Sequence, residues 1–120
     1  MVKELLIIGA GGFIGAIFRY FLSTLFSKWT ILSIPTGTYI INVLGSFAIG
    51  FIYGANFFSE NQMIFITIGF LGAFTTFSTF NYELLQLKDE NKAIQFWAYG
   101  TSMYASNIIV CFWGYWWGNN

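Results

Sequence analysis

Gly69-Phe70-Leu71-Gly72-Ala73-Phe74-Thr75-Thr76-Phe77-Ser78-Thr79-Phe80 lies inside a long apolar stretch, where two glycines precede four hydroxyl residues interleaved with phenylalanines. Glycine weakens a helix, and a helix broken at membrane depth is tolerated only where the freed backbone is buried in protein or lines a cavity. The third hydrophobic segment is therefore expected to be two half-helices. Carbonyls freed by such a break suit a cation, while hydroxyls and a half-helix N-terminus suit an anion.

The composition around this stretch puts it in lipid. Of 120 residues, 57% are hydrophobic and 8% are charged, whereas a water-exposed surface carries roughly 25–35% charged residues. The ten charged residues fall mostly near segment ends, and the intervals between them approach the roughly 20 residues a spanning helix needs. The fold class read from this pattern is an all-α integral membrane protein. It is a single domain of four transmembrane helices at about 4–26, 36–57, 62–87 and 93–118, with helix 3 broken in the middle. The first helix, which carries Arg19 and lacks a small-residue cleavage site, is expected to be retained rather than removed as a signal peptide. Short connections leave no room for a soluble domain. The lipid bilayer is the expected partner, since zero net charge and the lack of a basic cluster argue against nucleic acid. With no histidine and a lone Cys111, neither a zinc site nor a disulfide framework can form within the chain. Lys28, Lys88 and Lys92 on one side against Lys3 on the other give a weak orientation signal, compatible with insertion both ways and hence with an antiparallel dimer.

Polar groups within the apolar segments mark the candidate site. Arg19 either snorkels to the interface or supplies a fixed positive charge at a vestibule. Asn42 heads a small and polar stripe with Ser46, Gly50 and Gly54 at spacings of four, and its amide suits either an anion or a neighbouring helix. Gly11/Gly15 and Gly50/Gly54 have the GxxxG spacing of close helix contacts, within the bundle or between subunits. Phe77 and Phe80 are either packing residues or rings turning positive edges toward an anion. Thr75, Thr79 and Glu83 follow at spacings of four, with Glu83 either solvated or accepting hydrogen bonds from a hydroxyl path. Tyr99, Met103 and Asn107 share one face of helix 4, and Trp113, Tyr115, Trp116 and Trp117 resemble an interfacial belt.

The run Gly11-Gly12-Phe13-Ile14-Gly15-Ala16-Ile17-Phe18-Arg19-Tyr20, then Pro35-Thr36-Gly37-Thr38 through Asn42 to Gly45-Ser46-Phe47, then Gly69 to Phe80, resembles the Fluc (CrcB) fluoride channels of microbes, in order over the whole chain. The resemblance implies passive fluoride export across the cell (inner) membrane by a multi-pass antiparallel homodimer with two pores. It also implies a structural sodium ion at the dimer interface, held by backbone carbonyls of Gly72 and Thr75, and no enzymatic activity. On this likeness Asn42, Phe77, Phe80, Ser78, Thr79, Tyr99, Asn107 and Glu83 belong to the fluoride pore and Arg19 to its vestibule. Met103 departs from the small or polar residue common in relatives.

Two other classes make different demands. A small proton-coupled exporter needs an acid deep in its first helix, where this chain has Glu4 only at the edge. A membrane assembly subunit whose polar residues merely join helices predicts that Asn42, Phe77 and Phe80 tolerate conservative replacement.

Overall fold

The computed structural model describes residues 1–31 and 33–120. The fold is all-α apart from one small hairpin. Helix α1 spans Val2–Leu25, strands β1 and β2 span Thr30–Ile31 and Ile34–Pro35, and α2 spans Thr36–Ala55. The next helix begins as α3 (Glu60–Met63), widens to a π-helical segment (Ile64–Leu71) and closes with the single turn α4 (Gly72–Phe74). After an interruption, α5 spans Ser78–Asp89 and α6 spans Ala93–Asn119.

Three helical stretches, Val2–Leu25, Thr36–Ala55 and Glu60–Asp89, are long and apolar enough to cross a membrane. At about 1.5 Å per residue, the 24 residues of α1 exceed the thickness of a hydrocarbon core of about 30 Å. Its buried residues are Gly11 and Gly15, while Phe13, Ile17 and Phe21 point outward, as expected of a helix solvated by lipid. The 27-residue α6 has the length to span but is diluted by Tyr, Trp, Ser and Asn.

Local chemistry sets several boundaries away from those expected. Helix α2 stops at Ala55 rather than reaching residue 57, because Asn56 adopts a left-handed backbone with φ 53°, a conformation that asparagine tolerates and that ends helices. The third helix starts before residue 62, at Glu60. Ser59 accepts from the Gln62 amide while the Gln62 side chain accepts from the Ser59 amide, a reciprocal cap that satisfies two otherwise unpaired donors. The connection read as plain loop between helices 1 and 2 contains an antiparallel hairpin, pairing Thr30 with Pro35 and Ile31 with Ile34.

Glycine sets the helix pairing. Helix α1 lies along the π segment and α4, and α2 lies along α6. A Cβ at Gly11 would strike the Phe65 carbonyl, and one at Gly15 the Phe70 carbonyl. On the other pair, Gly50 and Gly54 face the Cys111 and Tyr115 carbonyls, while Gly114 and Gly118 face those of Phe47 and Phe51. Both expected GxxxG pairs thus serve contacts within one chain, and a third pair, Gly114/Gly118, answers from α6. Two hydrophobic cores result, one around Ile41, Ile52, Leu71 and Phe74, the other around Phe80, Leu87, Tyr99 and Met103. The interruption of the third helix runs between them.

These contacts predict an asymmetry among glycines in thermal unfolding in detergent. Gly15→Ala should lower stability by about 1–3 kcal/mol through overpacking. Gly9→Ala, with no neighbouring atom within 4 Å of the added Cβ, should leave stability unchanged or raise it by up to ~1 kcal/mol.

Candidate functional site: a helix break between two cavities

The interruption is short and well tied. Thr75 is extended, with φ −78° and ψ 157°, so the chain leaves the helical ladder at this residue. Its amide still donates to the Leu71 carbonyl at 3.0 Å, and its hydroxyl donates to the same oxygen at 2.8 Å. Thr76, buried at the centre of the break, has no helical partner. Asn42 of α2 supplies both: its Nδ2 donates to the Thr76 carbonyl at 2.9 Å, and its Oδ1 accepts from the Thr76 amide at 2.9 Å. An amide side chain is the one uncharged group that offers a donor and an acceptor side by side, as a backbone partner would. Without them, two polar backbone groups would be stranded in the interior, each at a cost of about 1–3 kcal/mol.

Thr76 also starts the next helix. Its Oγ1 accepts from the Thr79 amide at 3.3 Å and donates to the Thr79 hydroxyl at 3.1 Å. This caps the first turn of α5, where backbone donors otherwise lack partners.

Two cavities flank the break. The central one, about 310 Å³, is lined by Asn42, Ser46, Thr67, Gly72, Thr75, Thr76, Phe77 and Asn107. The second, about 230 Å³, lies toward the hairpin and is lined by Ser23, Ser27, Thr38, Thr79 and Glu83 among others. Thr76 lines the first and bonds Thr79 of the second, so one hydroxyl pair joins the two.

The expected site residues divide accordingly. Asn42, Gly72, Thr75, Phe77 and Asn107 meet in the central cavity, while Thr79 and Glu83 meet in the second. Phe80 and Tyr99 line neither cavity and are buried against each other, ring edge to ring face at 5.1 Å and 79°. The Glu83 carboxylate accepts from the Tyr99 hydroxyl at 2.8 Å and the Thr38 hydroxyl at 3.0 Å. Ser78 and Arg19 line neither cavity, and the two ion pairs among the described residues, Met1 with Glu4 and Lys92 with Glu90, do not involve Arg19. The expected line of Thr75, Thr79 and Glu83 does not hold at Thr75, because the break puts it in the other cavity. The stripe below Asn42 divides too: Ser46 faces the central cavity and Gly50 and Gly54 face α6. Met103 is buried in the core with Phe80 and Tyr99, and Asn107 reaches the cavity from α6, its Oδ1 buried without a partner among the described residues.

Such a constellation, a broken apolar helix held by one asparagine and edged by hydroxyls and phenyl rings, has the chemistry to hold a small ion. Comparison with known proteins agrees in kind. The profile of the family described as CrcB-like protein, Camphor Resistance (CrcB), matches residues 6–118. The chain belongs to the CrcB family. Curated relatives of this CrcB chain carry the name fluoride-specific ion channel FluC. One from Methanococcus aeolicus is 49% identical over 98 residues, 79% of this chain and 78% of the relative. Another, from Campylobacter jejuni, is 40% identical over 98% of this chain and 96% of its own length. A third, from Staphylococcus haemolyticus, is 42% identical over 93% and 97%. With its apolar helices, the family makes this a membrane protein.

Thr76 and Thr38 were not singled out by sequence reading. The signal for Thr76 was present in its spacing of three before Thr79, the spacing of a hydroxyl cap; the partner of Glu83 lies 45 residues upstream and left no local trace.

The paired bonds at Thr76 yield a prediction. Asn42→Leu, which keeps the branched outline of the side chain and removes both bonds, should destabilise the protein by about 2–5 kcal/mol in detergent unfolding. A loss below about 1 kcal/mol would mean that the break needs no side-chain partner.

Proposed function

We propose that this chain is a fluoride-specific channel that passively exports fluoride. The observation that carries the proposal is the joining of hydroxyls, an amide and phenyl rings at one helix break in lipid. Fluoride is small and strongly hydrated, so a pore must replace its water with donors while excluding larger halides by narrowness. Thr79 and Ser78 bear hydroxyl donors, and Asn42 keeps one N–H beyond the one given to Thr76. Phe77 and Phe80, with ring centroids 6.3 Å apart, have positive edges that favour an anion over a cation. Glu83 orders Thr38 and Tyr99 by accepting hydrogen bonds from their hydroxyls. Arg19, half-buried and without a counter-ion among the described residues, raises the local anion concentration at the entrance.

The functional unit in this reading is an antiparallel homodimer of four-helix subunits, with α6 as the fourth span, two pores, and a place in the cell (inner) membrane. Its support is physical: Phe77, which lines the central cavity, is 61% exposed, so an anion there needs a second protein surface to exclude lipid and water. The weak lysine bias permits insertion in both orientations.

The same cavity suits a structural sodium ion. The break deprives Gly72 of an onward helical partner, since the Thr76 amide is taken by Asn42, and extended Thr75 turns its carbonyl out of the ladder. Unwound carbonyls are suitable oxygen ligands for sodium, and the unpartnered Asn107 Oδ1 adds acceptor character to the same cavity. Gly72 and Thr75 would hold the ion by their backbone oxygens, and the ion would supply a fixed positive charge beside the break.

The exporter alternative lacks its acid: Glu4 pairs with the terminal amine at 2.8 Å at the very start of α1. In liposomes with a potassium gradient and an ionophore, read with ion electrodes, the protein should release fluoride and retain chloride. Phe80→Ile should abolish fluoride release while leaving dimer assembly intact. No fluoride release by the parent protein, or equal chloride release, would overturn the proposal.

A further inference from the structure

Phe80 is 2% exposed and is held on two sides by α6. Tyr99 meets it at 5.1 Å and 79°, and Tyr104 meets it at 5.9 Å and 74°, both edge to face. We infer that Tyr104 is a selectivity-positioning residue: with Tyr99 it holds the Phe80 ring in one orientation, and that orientation sets which halide the ring accepts. The inference rests on the reading of Phe80 as an anion-facing ring.

The physical reason lies in the ring's quadrupole. A phenyl edge attracts an anion and its face repels one, so rotation of the ring by a quarter turn reverses the sign of the interaction. The torsion that rotates it, χ2, is intrinsically broad and is confined only by neighbours. A narrow pore built from a rotating ring is neither narrow nor of constant sign.

The two neighbours differ in how they are themselves held. Tyr99 is fully buried, donates its hydroxyl to Glu83 at 2.8 Å and stacks on Tyr39 at 6.3 Å. Its removal would disturb the core as well as the ring. Tyr104 is 54% exposed, and among the described residues it has no hydrogen bond from its side chain and Phe80 is its aromatic partner. It makes an edge-to-face contact with Phe80. Met103, buried in the same cluster, fills the space at the ring without fixing its angle, because a thioether adapts its shape. Among the described residues the ring partner of Phe77 is Phe80. Tyr99 and Tyr104 are thus the aromatic side chains of α6 whose contacts bear on the orientation of the phenylalanine pair.

Tyr104→Leu removes the ring and keeps an apolar side chain, while Tyr104→Phe keeps the ring and removes only the hydroxyl. An edge-to-face contact of ordinary strength corresponds to roughly a two- to tenfold effect. Tyr104→Leu should therefore lower the fluoride-to-chloride flux ratio by that factor, with dimer elution unchanged, and Tyr104→Phe should restore the parent ratio. A parent ratio in Tyr104→Leu, or an equal loss in both variants, would overturn the assignment. The flip rate of the Phe80 ring, read by 13C NMR without any transport, should rise in Tyr104→Leu; an unchanged rate would overturn the positioning role itself. Absence of fluoride flux in the parent protein would instead refute the channel reading on which the inference rests.

Discussion

The pair of hydrogen bonds between the Asn42 amide and the Thr76 backbone is the interaction on which the rest of the site depends. A helix that breaks in lipid exposes donors and acceptors that no solvent will satisfy. Here Asn42 substitutes for the missing helical neighbours of Thr76, at 2.9 Å on both sides. Once Thr76 is fixed, its own hydroxyl caps α5, and the polar residues before and after the break are held at defined positions. Asn42 therefore has a structural task whatever it does for an ion, and the remaining amide hydrogen is what it can offer beyond that task.

The break also explains why there are two cores rather than one. Phe74 belongs to the first, packed with Ile41 and Leu71, and Phe80 to the second, packed with Tyr99 and Met103. Rigid packing on each side leaves the residues between them as the polar exception. Glycine makes this possible at the level of whole helices: α1 approaches the first half of the third helix through Gly11 and Gly15, and α2 approaches α6 through glycines on both partners. Close backbone contact supplies van der Waals attraction where lipid gives no hydrophobic drive for helices to associate.

Much of this was legible in the order of residues. The interruption was signalled by Gly69, Gly72 and the hydroxyl run, because those residue types weaken a helix locally. The importance of Asn42, Phe77 and Phe80 was legible as types that are costly or unusual in lipid, but not their partners. Spacings of four assume an unbroken helix, which is why Thr75 and Glu83 were read on one line and lie in different cavities. The choice between intersubunit and internal GxxxG contacts, and the burial of Met103 with Asn107 left facing the cavity, depend on helix pairing and rotation. Neither is written in local sequence. Nor was the stop at Asn56 anticipated, although an asparagine at a helix end is a recognisable cue.

The most direct measurement of this account is site-resolved amide hydrogen exchange of the protein in lipid bilayers. The account predicts that the Thr76 amide, although outside any helix, exchanges as slowly as amides in the interior of α5, because Asn42 holds it. Fast exchange at Thr76 beside slow exchange in α5 would contradict the clamp and, with it, the fixed geometry assigned to the break.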